Sequence, residues 1–594
     1  MCGIYGYTGK NQQSALMTLN GLRRLEYRGY DSFGIAGVNG GPIKLIKRVG
    51  KISEAADDEF VGMNVDLSIG HTRWATHGGV TETNAHPHLN KGRTVALVHN
   101  GIIENHDELR TELARHLPPE TFISETDTEV IVHLIDAYLR EGLPFNVAVF
   151  SAAQKLKGSF AFAVIREQDS HIVGVRFGSP LLFGEGLSGR HLSSDTGAFP
   201  SDVTEEVFLE DGEAVCFGVE GEPLFVRFTE GTPLRKKVSK RENLQTHETK
   251  GLWPHFMLKE ITEQKTRLGE ALTQEGDSIQ QVVSLIRESK NVVLTGCGTA
   301  ARVSMVGEYF FAQSGKNAEC TIASEFGRRA PFVGESSLVL CISQSGETAD
   351  TLEALRRARE KGARIVSILN ARNSTMHRLS DAALFLNVGR ECAVASTKAA
   401  TAQILILKFL AELGAGKDIT HVRAELEAEL QQLEMLFTLR YRREIETVAQ
   451  KIQRQNDMFL IGRGELSPIA LEGALKVQEV AYVPALGLPG GELKHGPIAL
   501  ITPGVPCVAF MRNDEHRKDT VNNCHELKAR GGRIIGVSPT PESVFDDWIP
   551  IPDVLNLSPI ASLVPLQLLA YYLAVHRGND PDMPRNLAKS VTVK

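Results

Sequence analysis

Cys2 stands directly behind Met1, and a residue that small lets the initiator methionine be removed. The thiol and a free α-amine then share one residue. An α-amine has a pKa of about 7.7–8.0, so part of it is an unprotonated base at neutral pH. A thiol beside a base is a nucleophile, because the thiolate is the reactive form. Gly3-Ile4-Tyr5-Gly6-Tyr7 reads as a short strand with room for a substrate beside it. Taken alone, Cys2 reads equally as part of a frayed terminus. Far along the chain, Ser343-Gln344-Ser345-Gly346-Glu347-Thr348 lies between an apolar run and a helical pattern. Hydroxyls and backbone amides at a helix N-terminus bind phosphate, and Gly lets the ligand approach. A plain capping box is the alternative. Glu472, Lys476 and Glu479 fall on one helical face, either as a proton-handling group or as a solvated ion-pair face. Glu492-Leu493-Lys494-His495-Gly496-Pro497 sets an imidazole on a Gly-flanked loop. Lys589 lies in a closing segment whose apolar neighbours argue for order.

Two patterns of elements must position these groups. Up to about residue 217 the chain shows short apolar strands, polar turns and few helices, which implies packed β-sheets flanked by helices. Beyond a basic, polar stretch at Gly231–Arg241, read as a boundary, the chain repeats itself. Asn291-Val292-Val293-Leu294-Thr295-Gly296 is matched by Met458-Phe459-Leu460-Ile461-Gly462, and Leu338–Ile342 by Val505–Phe510. Gly362–Val366 is matched by Gly531–Ile535, and the intervals agree to within about three residues. Strands alternating with helices over this length imply two doubly wound α/β units with parallel sheets. Where the first copy has its hydroxyl-rich turn, the second has Met511-Arg512-Asn513-Asp514-Glu515-His516, whose acids repel phosphate, so one phosphate site is expected.

Composition narrows the class. The chain has 594 residues, 42% of them hydrophobic and 23% charged, as in a globular protein of three or more domains. A net charge of −7 argues against nucleic acid or an anionic membrane as the main partner. No signal peptide and no apolar run long enough to span a bilayer is expected. The eight cysteines are scattered without a C-x-x-C pair, which fits a reduced, cytoplasmic protein without structural zinc.

Cys2-Gly3-Ile4, Arg73-Trp74-Ala75-Thr76-His77-Gly78, His99-Asn100-Gly101 and Thr126-Asp127-Thr128-Glu129, in that order, resemble the glutaminase domain of N-terminal-nucleophile (class II) glutamine amidotransferases. The resemblance implies that Arg73, Trp74, Thr76, His77 and Asp127 bind glutamine. Arg73 suits its α-carboxylate and Asp127 its α-ammonium, while Trp74 could close over it. Asn100 and the Gly101 amide would form an oxyanion hole. Plainer readings exist: a surface ion pair for Arg73, an N-cap for Asp127, and a hairpin turn for Asn100-Gly101, which could still present its amide. His71, His77, His86 and His88 suggest a metal at first sight, but no Cys or carboxylate stands at ligand spacing, and none is expected.

The repeated half resembles a pair of sugar-isomerase (SIS) domains, and nearly the whole chain resembles the glucosamine-6-phosphate synthase family. The implied fold is an α+β N-terminal-nucleophile sandwich (2–217), a linker (218–280), SIS domains at 281–420 and 450–584, and a catalytic tail (585–594). The implied substrates are L-glutamine and D-fructose 6-phosphate, with no metal, flavin or nucleotide. Cys2 would attack glutamine, and ammonia would pass internally with Trp74 as a gate. Thr299, Ser343, Gln344, Ser345 and Thr348 would hold the sugar phosphate. Lys589 would form a Schiff base, Glu479 would shuttle the proton and Lys476 would assist. His495 would open the ring, donated across a homodimer. Three departures stand out. Ala300 replaces a usual Ser, Lys265 a usual Pro, and the chain ends in Lys594 rather than Glu. A sugar-phosphate sensor, or an amidotransferase for a related sugar phosphate, are the competing expectations.

Overall fold

The computed structural model describes residues 2–592 apart from 11, 117, 119–120 and 242–247, so Lys594 lies outside the described residues. The chain divides into two compact units, Met1–Glu248 with Ser590–Lys594, and Thr249–Lys589.

The first unit is a sandwich of two sheets. One has eight strands and carries Gly3–Thr8 between Arg190–Ser193 and Leu67–Arg73. The other has seven and carries Val95–Ile103 between Gly158–Arg166 and the two-residue strand His88–Leu89. Ile4, Ile69 and Leu192 from the first sheet interlock with Val98, Ala163 and Phe217 from the second. Helices cover the outer faces. Ser14–Arg23 packs Ala15, Leu19 and Leu22 on Tyr5 and Ile35. Glu129–Arg140 buries Val130, Ile131, Leu134 and Ile135, a helical spacing, on the second sheet. Within the stretch expected as linker, Leu224–Arg227 and Thr232–Pro233 extend the seven-stranded sheet, and Ser239–Lys240 the eight-stranded one.

The second unit holds two five-stranded parallel sheets of identical order. The first copy runs Ala318–Ile322, Asn291–Gly296, Ser337–Ser343, Arg364–Leu369, Ala382–Phe385. The second runs Ala485–Pro489, Met458–Gly462, Pro506–Phe510, Arg533–Ser538, Asp547–Pro550. Helices cover both faces, which is why the strands are continuous apolar runs rather than alternating ones. In sequence the order is second, first, third, fourth, fifth. It reverses between the first and third strands, and ligands bind outside the carboxyl ends at that crevice.

The expectation of no long apolar run is corrected by Ser558–His576. This helix has 19 residues and a mean hydropathy of 1.5, enough by length and composition to cross a bilayer. Pro559, Pro565 and Gln567 interrupt the run in the sequence, yet all lie within one helix. Its most apolar window is 89% buried among the other helices of its unit, so it is a core helix.

Candidate functional site

In the first unit, Cys2 is half-buried at the head of the Gly3–Thr8 strand. Its Sγ accepts from the Trp74 N–H at 3.3 Å and lies 3.5 Å from the Trp74 carbonyl. Burial raises the thiol's pKa, and the Trp74 N–H and Arg73 guanidinium pull it back only in part. The resting form is therefore the thiol, which needs a base before it can attack. Asn100 Nδ2 donates to the Cys2 carbonyl at 3.0 Å, which ties the facing strand to the backbone of Cys2.

Asn100 and Gly101 do not form a hairpin turn. Both lie inside the Val95–Ile103 strand, paired with Ala161 and Phe160. Gly101 has φ +128°, and a Cβ there would sit 2.0 Å from the Ser159 carbonyl. Only glycine fits this rotated peptide. Gly101→Ala should therefore cost about 2–4 kcal/mol of stability, from backbone strain plus the clash. Chemical denaturation of the full chain measures it, and an unchanged unfolding midpoint would refute the strain.

Arg73 is buried rather than paired at the surface. Its guanidinium donates to the carbonyls of His77 (2.6 Å), Gly78 (3.1 Å) and Gly79 (3.0 Å), so it folds the following loop around itself. Burial lowers its pKa, while Cys2, Asp31, Asp127 and Glu125 pull it upward. Asp127 is buried and accepts from the Ile103 N–H at 2.8 Å, bracing the strand that carries Asn100. It is not a side-chain cap; Thr128 holds the cap position of the Glu129–Arg140 helix. Thr76 is exposed, and His77 is half-buried beside it, its Nδ1 3.5 Å from the Thr76 hydroxyl.

The chain also latches this loop with residues not singled out from sequence. Asp31 accepts from the Ala75 N–H (2.9 Å), and Glu125 from the Gly79 N–H (3.0 Å) and Asn84 (2.9 Å). The histidines do not converge on one point. His86 contacts His71 and His88 ring to ring, whereas His77 faces His106. Among the described residues, no group of three or more His, Cys, Asp or Glu is arranged to hold a metal ion.

In the second unit, two groups gather at the crevice between the copies' first and third strands. Ser343 closes the third strand of the first copy, and its Oγ accepts from the Gly346 N–H at 3.0 Å. The Thr348 hydroxyl lies 3.4 Å from Ser343 Oγ, and Ser345 Oγ accepts from the Glu347 N–H at 3.2 Å. The Gln344 carbonyl accepts from Asn370 and Ala371 N–H groups. Gly346 has φ +67°, and a Cβ there would meet Ser374 Oγ at 2.1 Å. The turn delivers the chain into the Ala349–Glu360 helix, whose first amides and positive dipole end suit an anion.

Thr299 starts the helix after the first strand and connects the two copies. Its hydroxyl donates to Glu472 Oε1 at 2.9 Å and accepts from Lys476 Nζ at 3.1 Å. Lys476 also meets Glu479 at 2.6 Å and Glu472 at 3.3 Å. This is no solvated face: the Lys476 and Glu472 side chains are 0% and 2% exposed, and Glu479 is 19% exposed. Burial works against the Lys476 charge, but the two carboxylates hold its pKa above the usual lysine value. Burial also raises Glu472. One ammonium offsets only one of the two carboxylates, so the Glu479 charge adds to burial in raising Glu472.

Lys589 pairs with Glu391 at 2.5 Å, and both side chains are buried. Glu391 also accepts from the Thr397 N–H (2.9 Å), the Ala399 N–H (3.1 Å) and Ser396 Oγ (3.1 Å), at the N-terminus of the Lys398–Gly414 helix. Burial alone would raise its pKa; Lys589 and these N–H groups hold it well below the usual carboxylate range. Glu260 grips the loop behind, accepting from the Cys392 and Ala393 N–H groups. Neither glutamate stood out in the sequence, because nothing local marks a single Glu whose partner is 198 residues away. His495 is exposed on the Gly490–His495 turn, and among the described residues it makes no hydrogen bond or ion pair to any group above.

The equivalent crevice of the second copy holds an ion-pair cluster to which the first copy's helix also contributes, through Gln313. Glu465 accepts from Arg512, Ser558 and Gln313, and Arg512 also pairs with Asp514.

Known proteins match in the same two parts. Residues 44–208 match the glutamine amidotransferase domain family, and residues 285–413 and 451–577 match the SIS domain family. The glutamine–fructose-6-phosphate aminotransferase (isomerizing) of Thermococcus kodakarensis is 40% identical over 606 residues, with both chains covered completely. Its namesake from Thermus thermophilus is 40% identical over 613 residues, again with complete coverage of both. Among solved structures, the C-terminal domain of glucosamine-fructose-6-phosphate aminotransferase from Francisella tularensis aligns at a TM-score of 0.52 and 32% identity, over 57% of this chain and 100% of that one.

Proposed function

The chain belongs to the glutamine–fructose-6-phosphate aminotransferase (isomerizing) family, and on that premise we propose how its residues divide the work. The protein is an enzyme that takes ammonia from L-glutamine, adds it to D-fructose 6-phosphate and isomerises the product to D-glucosamine 6-phosphate. The observation that carries the division is the pairing of Lys589 with Glu391 in one unit and of Cys2 with the Asn100 amide in the other.

Once Met1 is removed, the Cys2 α-amine takes the thiol proton, and the thiolate adds to the glutamine side-chain carbonyl. Asn100 Nδ2 and the Gly101 N–H hold the resulting oxyanion. Collapse expels ammonia, which leaves with the proton the amine had taken, and water then releases glutamate from the thioester. Arg73 and Asp127 hold the α-carboxylate and α-ammonium, Thr76 and His77 complete the glutamine pocket, and Trp74 gates it.

In the sugar half, Ser343, Gln344, Ser345, Thr348 and Thr299 hold the phosphate. Lys589 adds to the C2 ketone and loses water to form the imine. Glu479 moves the proton between C1 and C2 while Lys476 offsets its charge. His495 opens the ring of sugar bound to a second copy, in a homodimer; its exposure, and its having no hydrogen bond or ion pair to its own chain's site groups among the described residues, support this. Eight free thiols agree with a cytoplasmic location.

Ala300 bears on affinity. Ser304 looks able to replace the missing hydroxyl, but its Oγ donates to the Ala300 carbonyl at 2.8 Å and is fully buried, so it is spent within its own helix. Ala300→Ser should tighten fructose 6-phosphate binding by up to about tenfold, the value of one neutral hydrogen bond. Calorimetric titration checks this alongside the glutamine KM, which should not change. Unchanged or weaker sugar binding would mean that the pocket is built around Ala300.

The experiment for the whole reading is an assay of glucosamine 6-phosphate formed from glutamine and fructose 6-phosphate. Glutamate without amino sugar would overturn it.

A further inference from the structure

We propose that His71 is the positioning residue that fixes which way the Asn100 side-chain amide faces, and so whether its N–H or its oxygen meets the developing oxyanion. This rests on the reading of Asn100 given above. His71 lies in the Leu67–Arg73 strand and is fully buried. Its Nε2 is 2.9 Å from the His99 carbonyl and 3.0 Å from Asn100 Oδ1. A backbone carbonyl can only accept, so Nε2 carries a hydrogen. A neutral imidazole has one N–H, which leaves Nδ1 bare; among the described residues that atom has no hydrogen-bond partner. Burial drives the imidazole's pKa down to about 3, so the ring is neutral at working pH.

An N–H at that place decides the amide. The two ends of an Asn side chain are told apart by their partners. Facing a donor, the Asn100 oxygen is turned to His71 and the nitrogen to the Cys2 carbonyl, 3.0 Å away. Rotating the amide by half a turn would set NH2 against N–H and oxygen against oxygen. It would also aim a carbonyl at the oxyanion. The imidazole is itself held in place. His86 lies against it with ring centroids 4.2 Å apart, and His86 Nδ1 accepts from the His99 N–H at 3.2 Å. Past the short His88–Leu89 strand, these two imidazoles stand in for the missing strand along the edge that carries Asn100.

The test compares His71→Gln with His71→Met in the full chain. The two side chains have nearly the same length and bulk, and only Gln keeps an N–H donor. His71→Met should lower kcat for glutamine hydrolysis by about 10²–10³-fold, the usual effect of losing one oxyanion donor, with KM changed by less than about threefold. His71→Gln should recover at least tenfold of that. Equal kcat losses in both variants, or none in His71→Met, would overturn the proposal. Asn100→Ala, measured alongside, separates the two readings. If it leaves kcat intact, the oxyanion assignment fails; if it is impaired while His71→Met is not, only the His71 inference fails. A measurement on the unaltered protein does not depend on variant folding. Histidine ¹⁵N NMR, with His71 assigned by the signal lost in His71→Gln, should show a neutral Nε2–H ring unchanged from pH 6 to 9. An Nδ1–H ring, or titration in that range, would contradict it.

Discussion

Replacing Cys2 by Ala should abolish glutamine hydrolysis, by about 10⁴-fold or more, and leave the isomerisation of fructose 6-phosphate in place. The Cys2 thiol stands at the head of the Gly3–Thr8 strand and is the group proposed to bond to the amide carbon. Ala keeps the backbone and its contact with Asn100 while removing only the sulfur. The groups proposed for the sugar chemistry, Lys589, Glu479 and the Ser343–Thr348 turn, all lie in the second unit. Glutamate release and sugar isomerisation, measured on one preparation, separate the halves. Hydrolysis at the wild-type rate would remove Cys2 as nucleophile.

Lys589→Arg should do the converse. Glutamine hydrolysis continues, while amino-sugar formation falls by about 10³-fold or more and borohydride no longer traps the sugar on the protein. Arg preserves the charge facing Glu391, so the buried ion pair need not collapse into an uncompensated carboxylate. What it removes is nucleophilicity, because a guanidinium does not lose its proton in this range. Mass spectrometry of the wild-type adduct should place the reduced sugar on Lys589. An adduct on Lys476 or Lys398 would contradict the assignment.

The readable parts of the site were those with local signatures. Cys2-Gly3, the Arg73–Gly78 loop and the Ser343–Thr348 turn each hold several chemically distinct groups within a few residues. The SIS repeat was legible because parallel strands buried on both faces must be apolar throughout. Asn100-Gly101 misled as a turn, because Asn-Gly is a strong hairpin signal. Here it serves a rotated peptide within a strand, a need visible only once Ser159 is opposite. Glu472, Lys476 and Glu479 have the spacing of an exposed ion-pair face. Only the packing of the second copy's helix against Thr299 buries them. Glu391, Glu260 and His71 were not recognised as parts of the site because each works through a partner remote in sequence, and their meaning comes from the fold. Ser304 is the converse case: its place one helical turn beyond Ala300 suggests a substitute hydroxyl, and only the structure shows that hydroxyl already bonded to its own backbone.

The central claim is that one chain releases ammonia at Cys2 and consumes it at the sugar imine. The direct measurement supplies glutamine labelled with ¹⁵N in its side-chain amide, fructose 6-phosphate and excess unlabelled ammonium. The account predicts glucosamine 6-phosphate carrying ¹⁵N, formed in step with glutamate. Unlabelled amino sugar, or glutamate accumulating without any amino sugar, would contradict it.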